Sequence, residues 1–243
     1  MIIYQGPSQI DGKPIVAIAT GLGSGSSNRK TGSMIQTWIL PADVEPHKAV
    51  KTGEDSTVCG DCPHRPIAGG SCYVTVHQAP LAVYRAWQRG NYPAFDLDAF
   101  RGQRVRFGAW GDPAAVPVYV WAKIADVAAG HTGYTHQWRT AEVELAKYCM
   151  ASVDTPEELD IAAAMGWRCF RTRLESEPVR KGEAICPASA EAGKKLICQD
   201  CMACSGATGR RKGHLAIIAH GTAGKVNNYK RARVNSGGVF EFA

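Results

Sequence analysis

Seven of the nine cysteines in this chain fall into two groups whose spacing suits metal binding. The first group consists of Cys59, Cys62 and Cys72. The second group consists of Cys186, Cys198, Cys201 and Cys204. Clustered thiols in a reducing compartment are metal ligands more often than disulfides, because such a compartment disfavours the S–S bond. The sequence therefore predicts two metal-binding segments.

The first group reads Cys-x2-Cys-x9-Cys and is compatible with two kinds of metal chemistry. Three thiolates on one loop can hold three irons of a 4Fe-4S cluster, which leaves the fourth iron open to the amino and carboxylate groups of S-adenosylmethionine. A structural zinc is the alternative, since His64 or His77 could complete a Cys3His tetrahedron. The spacing of the cysteines alone is consistent with either metal.

A carboxylate follows the next predicted strand along the chain. The strand at 104–110 runs into a Gly-Asp-Pro tripeptide, which puts Asp112 at the carboxyl end of that strand. A carboxylate there could accept hydrogen bonds from the ammonium of a bound methionine moiety. Together with Cys72 followed by Tyr73, this pattern resembles the radical S-adenosylmethionine (radical SAM) superfamily. In that superfamily a cluster loop with an aromatic residue beside its last cysteine follows the first strand, and Gly-Gly-Glu-Pro follows the second.

The resemblance covers roughly residues 58–220, and it includes 152–158, which is similar to the family's middle strand and following helix. Two features differ. The family's cysteines are usually separated by three and then two residues, and Asp112 stands where Glu is usual. The resemblance implies an α/β fold, a partial (β/α) barrel of radical SAM type, with a C-terminal cysteine-rich metal-binding segment.

The resemblance also implies which residues carry the chemistry. Cys59, Cys62 and Cys72 would hold the catalytic 4Fe-4S cluster, and an external electron donor would drive cleavage of S-adenosylmethionine to a 5′-deoxyadenosyl radical. The cofactor-binding residues would be Tyr73, Gly111, Asp112 and Arg171. Phage-encoded relatives rearrange hypermodified thymine bases, so the resemblance suggests an isomerase that acts on a glycyl-thymidine adduct.

The second cysteine group is a metal site of open identity. Its Cys-x2-Cys-x2-Cys run, preceded by Cys186, resembles ferredoxin-type ligation and would suit an auxiliary iron-sulfur cluster. A structural zinc knuckle needs the same four thiolates. We expect one of these two groups.

Basic residues are concentrated at the end of the chain. Seven of the 28 Lys and Arg residues but only one of the 22 Asp and Glu residues lie from Gly209 onward, which leaves 21 of each sign in the rest. A basic segment on a neutral body suggests contact with a polyanion, and DNA, RNA or a nucleotide is the most economical substrate, although a solvated basic surface is the ordinary alternative. The rival function is a non-enzymatic zinc-binding module that docks nucleic acid.

Strands and helices alternate along the chain and must position these residues. Strands are predicted at 15–19, 34–40, 104–110, 133–138, 149–153, 167–171 and 215–219, with helices at 80–88, 116–129 and from Thr155 to Gly166. Such alternation favours a parallel sheet or partial barrel whose chemistry lies at the carboxyl ends of the strands. We divide the chain into an N-terminal segment (1–50), a radical SAM-like barrel (51–182) and a cysteine-rich segment with the last strand and basic tail (183–243).

Several other residues have either two possible roles or a purely structural role. Arg171 and Arg173 could bind the cofactor's carboxylate or a substrate phosphate, and surface salt bridges explain them equally well. Cys149 and Cys169 are expected to be small buried hydrophobic residues. The glycine-rich loop at 21–33 lacks the Walker A pattern and is expected to be a connection that could touch a substrate phosphate.

Targeting signals are weak in this sequence. No apolar run approaches the roughly 18 residues of a membrane span, and residues 1–13 lack the basic start and apolar stretch of a secretory signal. We therefore expect a cytoplasmic protein without membrane contact, in the host cell if it is phage-encoded.

Overall fold

One mixed β-sheet runs through the protein in our computed structural model, which describes residues 1–26, 28–193, 196–209 and 212–235. Its strands within these residues are β1 (Ile2–Pro7), β2 (Pro14–Thr20), β3 (Ile35–Pro41), β4 (Arg104–Trp110), β5 (Gly130–Thr135), β6 (Met150–Val153), β7 (Cys169–Arg173), β8 (Glu183–Ile185) and β9 (His214–Ile218). They lie in the order β1-β2-β3-β4-β5-β6-β7-β9-β8. Each of the three segments predicted from the sequence contributes strands to this sheet.

The sheet is open and mostly parallel. Strands β1, β2 and β3 pair antiparallel, and every later pairing, from β3 with β4 to β9 with β8, is parallel. Six parallel strands, β3 to β7 and then β9, are neighbours in chain order, so their crossovers all run in the same direction. Their carboxyl ends therefore meet at one edge of the sheet. The predicted α/β class is confirmed, and the sheet is mostly parallel and not closed.

Seven helices are described. They are α1 (Pro46–Thr52), α2 (Ser56–Cys59), α3 (Ala79–Gln88), α4 (Val118–Val127), α5 (Pro156–Ala164), α6 (Cys198–Cys201) and α7 (Ala223–Asn235). The predicted helices at 80–88 and after Thr155 are confirmed. The helix predicted at 116–129 is also present as α4, which is two residues shorter at each end and is preceded by a separate 3-10 turn at Pro113–Ala115. Among the helices of the described residues, none combines the length and the apolar character that crossing a lipid bilayer requires.

Side chains alternate between the two faces of each strand. Those on one face pack against helices that include α4 and α5 and form the main core. Phe107 of β4 packs against Trp121 of α4 with ring centroids 4.7 Å apart. Burying an aromatic or aliphatic side chain of this kind stabilises the fold by roughly 1.5–3 kcal/mol. Cys149 and Cys169 are fully buried in the same core, which confirms their prediction as buried hydrophobic residues.

The basic tail is part of the fold as far as Asn235. Helix α7 carries Tyr229, which is buried and donates a hydrogen bond to the carbonyl of Thr172, 2.7 Å away. Arg233 of the same helix is buried in an ion pair with Glu177. This part of the tail is therefore packed against the rest of the fold. Residues 236–243, together with Arg210 and Arg211, lie outside the described residues.

The start of α5 is stabilised by the capping residue predicted from the sequence. The Thr155 hydroxyl accepts a hydrogen bond from the Glu158 backbone N–H at 3.0 Å, and Pro156 occupies the first helical position. The Glu158 carboxylate accepts from the backbone N–H of Asp154, one residue before the cap, at 2.8 Å. This junction fixes where β6 ends and α5 begins.

We predict that Thr155→Ala lowers the free energy of unfolding by about 1 kcal/mol, because the N–H of Glu158 loses its acceptor. Urea denaturation followed by circular dichroism measures this loss. Thr155→Ser keeps the acceptor oxygen and is the matched control. Equal destabilisation by both substitutions would show that the Thr155 methyl group, rather than the cap, contributes the stability.

Candidate functional site

All seven grouped cysteines line a single cavity of about 740 Å³. Alternate residues of the parallel strands form its floor: Arg106, Gly108 and Trp110 of β4, Thr132 and Tyr134 of β5, Ser152 of β6, Phe170 and Thr172 of β7, and Leu215 and Ile217 of β9. The cavity therefore covers the sheet face opposite the main core and extends to the carboxyl ends of the strands. This is where parallel α/β folds place their ligands.

The first cysteine group is attached to the ends of two strands. Cys59 ends α2, and the backbone N–H of Asp112 after β4 donates to the carbonyl of Val58 at 2.6 Å. The Gln137 side chain after β5 donates to the carbonyl of Cys59 at 3.1 Å. Cys72 returns to the same place through a hydrogen bond from its N–H to the His64 carbonyl at 2.8 Å. The nine-residue spacer thus closes into a loop instead of separating the third thiol from the first two.

Arg65 holds this loop against the rest of the chain. Its guanidinium donates to the carbonyls of Gly60 and Gly53 at 2.9 and 2.6 Å, and it pairs with the buried carboxylate of Asp55 at 2.8 Å. A charged hydrogen bond with both partners shielded from water is stronger than an exposed one. Arg65 therefore fixes the turn that carries Cys59 and Cys62.

The thiols of the first group are in an environment that resists ionisation in the absence of a cation. Burial raises the pKa of Cys59 and Cys62 well above the ordinary value, and the neighbouring thiols and Asp112 raise both further. Burial also raises the pKa of Cys72. Three buried thiolates would repel one another, so a bound metal would supply the positive charge that lets them ionise together.

The second cysteine group is assembled from three segments. Cys198 and Cys201 are the first and last residues of α6, and Met202 ends that helix in the left-handed conformation, with φ 47°. The carbonyl of Cys204 accepts from the N–H of Gly133 in β5 at 3.0 Å. Cys186 follows β8 and donates its N–H to Ala216 of β9 at 2.8 Å. Backbone hydrogen bonds to β9 and β5 thus fix Cys186 and Cys204, and all four cysteines of the group line the cavity.

The spacing of the sulfur atoms bears on which metal would fit. A tetrahedral zinc with Zn–S bonds of about 2.3 Å holds its sulfurs only about 3.8 Å apart. Within the described residues, the one set of three or more potential ligand atoms within 4.8 Å of one another is that of His64, His136 and Asp154, and it contains no sulfur. No three thiol sulfurs of the described residues are therefore as close together as they would be around one bound zinc ion.

Three of the four predicted cofactor-binding residues line the cavity. Asp112 is 6% exposed, and its two oxygens accept from the N–H groups of Ala114 and His136 at 2.9 and 2.8 Å. Burial raises its pKa to about 6, against the effect of these hydrogen bonds. Tyr73 is half exposed, and its hydroxyl accepts from the Arg106 guanidinium at 2.8 Å.

Gly111 lines the cavity, but the backbone conformation at this position is what requires a glycine. Its φ is +81°, and a Cβ built there would lie 2.5 Å from the carbonyl oxygen of Ile39. Any larger residue would push β3 and β4 apart, so glycine at this position is explained without a ligand.

Arg171 is the exception among the predicted site residues. It lies on the face of β7 opposite Phe170 and Thr172, outside the cavity, and donates to both carboxylate oxygens of Glu183 at 2.7 Å. Strand alternation is the reason, because neighbouring residues of a strand point to opposite faces. Its expected placement against the cofactor's carboxylate is therefore corrected to a buried ion pair. Arg173, on the same face, pairs with Glu191.

Cationic side chains line the cavity between the two cysteine groups. Arg106 projects from β4, Lys30 from the loop between β2 and β3, and Lys225 from α7. Asp55 and Asp112 are the carboxylates that line the cavity among the described residues, and Asp55 is already paired with Arg65. The lining is therefore net positive, which suits an anionic ligand. The sequence analysis does not identify Arg106 as a cavity residue. A charged residue between the apolar Val105 and Phe107 of a strand is the signal that could have identified it.

His131 and His136 lie on opposite faces of the sheet. His136 lies directly after β5 and lines the cavity, and burial lowers its pKa to about 3. His131 lies on the core side and stacks on Phe107 with ring centroids 5.0 Å apart. His64 pairs with Asp154 at 3.0 Å, so its Nε2 is directed to a carboxylate. This imidazole is the one that, with His77 as the alternative, the sequence offers as a fourth ligand for a zinc at the first three cysteines.

Comparison of the chain with protein-family models, with curated proteins and with solved structures gives no match. The functional assignment therefore rests on the residues of the cavity and on the fold that brings them together.

We predict that Arg171→Ala lowers the free energy of unfolding by about 3–5 kcal/mol, because it leaves the Glu183 carboxylate buried without its partner. The two side chains are 1% and 0% exposed. The matched control is Arg101→Ala, whose ion pair with Asp98 is 67% and 79% exposed. This control should cost less than about 1 kcal/mol in the same urea titration. Similar values for the two variants would contradict the structural role of Arg171.

Proposed function

We propose that the protein is a radical SAM-like iron-sulfur enzyme that acts on a nucleobase, in a nucleotide or in DNA. The observation that carries the proposal is the meeting of both cysteine groups and Asp112 in one cavity at the carboxyl ends of six parallel strands. On this proposal the open sheet is a partial (β/α) barrel of the radical SAM type. The enzyme would work in the cytoplasm, of the host cell if it is phage-encoded.

The donor sets fit the iron-sulfur groups that the proposal requires. Cys59, Cys62 and Cys72 offer three thiols to one cluster, which would leave its fourth iron open to S-adenosylmethionine. The second group offers four thiols, enough for an auxiliary cluster. When bound, the first cluster and S-adenosylmethionine together would supply a 5′-deoxyadenosyl radical that abstracts a hydrogen atom from the substrate.

The protein's own residues would bind the reactants and exclude water. Asp112 is positioned by the N–H groups of Ala114 and His136, and its ionised carboxylate would accept hydrogen bonds from the ammonium group of the cofactor. The aromatic and aliphatic floor of the cavity, including Phe170 and Ile217, would keep water from a radical intermediate. Positioning of the target hydrogen is the remaining task of such a site.

An anionic substrate suits the lining between the two cysteine groups. Arg106 has a buried Nε without a hydrogen-bond partner, and its guanidinium donates to the Tyr73 hydroxyl instead of a carboxylate. Arginine binds phosphate and carboxylate oxygens in a planar, two-point geometry. Lys30 and Lys225 are positioned to add further positive charge. A base of DNA would have to be flipped out to enter the cavity.

The reaction we favour is the isomerisation of a glycyl-thymidine adduct, in which the glycyl group moves from a nitrogen to a carbon attachment. The adduct offers an amino acid carboxylate and, in DNA, a phosphate for the cationic lining to bind. An external electron donor would be needed to reduce the cluster.

Metal analysis tests the proposal directly. Protein purified and reconstituted without oxygen should be brown, contain at least four irons, bleach with dithionite and cleave S-adenosylmethionine. A colourless protein with about two zincs, and no cleavage, would overturn it in favour of a zinc-binding module that docks nucleic acid.

We predict that Cys59→Ala abolishes cleavage of S-adenosylmethionine and removes about four irons, because the first cluster loses one of three thiolate ligands. The second group should keep its metal, since Cys186, Cys198, Cys201 and Cys204 are untouched. Cys149→Ala removes a buried thiol of the core and is the matched control. Cleavage that survived the Cys59 substitution would refute the assignment of the catalytic cluster.

We predict that S-adenosylmethionine binds about tenfold more weakly at pH 5 than at pH 7.5, because protonation of a group with pKa about 6 removes the carboxylate charge that holds the ammonium. The Asp112 carboxyl is ionised above its pKa and neutral below it, so affinity falls as pH falls. Anaerobic calorimetry measures the affinity.

Two variants separate Asp112 from other groups that titrate in this range. Asp112→Asn should bind weakly at both pH values, and Asp61→Asn, an exposed carboxyl of the same loop, should behave like the unmodified protein. A pH dependence that persisted in Asp112→Asn would assign it to a different group.

A further inference from the structure

Two imidazoles and a carboxylate converge beside the cysteine loop. His136 directly follows β5, Asp154 directly follows β6, and His64 comes from the loop between Cys62 and Cys72. The His64 Nε2 and Asp154 Oδ2 atoms are 3.0 Å apart. One donor atom from each of the three side chains lies within 4.8 Å of the other two. The group therefore occupies the carboxyl ends of two adjacent parallel strands.

An ion pair between His64 and Asp154 explains only part of this arrangement. The Nε2 atom of His136 is buried and has no hydrogen-bond partner, and the same is true of Oδ1 of Asp154, a residue that is 2% exposed. Buried polar atoms are nearly always paired in folded proteins. The unpartnered imidazole nitrogen next to an existing imidazole-carboxylate pair points to a ligand that binds all three.

We propose that His64, His136 and Asp154 form a site for one divalent cation. Two imidazole nitrogens and one carboxylate are the donor set that binds Fe²⁺, Mn²⁺ or Zn²⁺ while leaving coordination positions open. The ion would replace the hydrogen bond between His64 and Asp154 and draw the three donor atoms together.

The surroundings already fix the first of these ligands. The Nδ1 atom of His64 lies 2.6 Å from the hydroxyl of Ser71, and such an outer hydrogen bond is the usual means of orienting a metal-binding imidazole. His136 is anchored through its backbone N–H, which donates to Asp112. A mononuclear site therefore needs little rearrangement of the backbone.

The open positions of this ion would face the main cavity, because His64 and His136 both line it. A water molecule or an oxygen atom of a substrate is the chemical class of ligand that would complete the coordination. The site uses no cysteine and does not rest on the proposed iron-sulfur function. It adds a second kind of metal chemistry to the cavity.

Binding of Mn²⁺ to the full-length protein is the sharpest test, because Mn²⁺ prefers oxygen and nitrogen donors and is a poor match for the thiols of the same cavity. Free Mn²⁺ is counted by its electron paramagnetic resonance signal as protein is titrated. We expect one ion per chain, and affinity at least about tenfold weaker in His136→Ala and Asp154→Asn.

Three controls make the outcome decisive. His77→Ala removes an exposed histidine of the cavity rim outside the group and should bind Mn²⁺ like the unmodified protein. Cys59→Ala should also bind normally, even if the iron-sulfur proposal fails. The far-UV circular dichroism spectrum of His136→Ala should match that of the unmodified protein, so that a loss of Mn²⁺ binding cannot be attributed to unfolding.

Absence of Mn²⁺ binding, or binding unchanged in a folded His136→Ala, would overturn the proposal and leave a buried ion pair. Loss of Mn²⁺ binding in His136→Ala and Asp154→Asn, with binding retained in His77→Ala and Cys59→Ala, would establish it.

Discussion

The hydrogen bond from the Asp112 N–H to the Val58 carbonyl is the junction on which the candidate site depends. It joins the end of the helix that carries Cys59 to the carboxyl end of β4, while Gln137 makes the matching connection to the end of β5. A loop attached at two adjacent strand ends has little freedom to move relative to the sheet. The sheet therefore fixes the positions of the first cysteine group and the Asp112 carboxylate relative to each other. It also fixes His136, which directly follows β5, so the shape of the cavity depends on the sheet.

The sequence predicted the parts of this structure that depend on local patterns. The strand predicted at 104–110 matches β4 at both ends. Its alternation of apolar and polar residues and the Gly-Asp-Pro tripeptide that follows it are both local signals. The strand predicted at 133–138 is instead Gly130–Thr135, and the shift moves His136 from the strand to its end. Strand β8 has only three residues and was missed, since its edge position depends on pairing with β9.

Side-chain partners across the sheet were the part that the sequence could not provide. His64, His136 and Asp154 are far apart in the chain, and they meet because parallel strands align their carboxyl ends. Arg171 was expected in the cavity because it follows a strand, but the face on which a residue lies is set by register. A shift of one residue in the strand would have reversed the outcome for Arg171 and Phe170.

Buried arginines show how the charge of the chain is used. Arg171 and Arg65 each have a carboxylate partner, Glu183 and Asp55, so they stabilise structure and have no charge left for a ligand. Arg106 contacts the hydroxyl of Tyr73 in the cavity and has no such carboxylate among the described residues. A guanidinium that is partly removed from water keeps its strong attraction for anions. The position of each positive charge relative to its partners therefore separates Arg65 and Arg171, which stabilise the fold, from Arg106, whose charge in the cavity is not paired with a carboxylate.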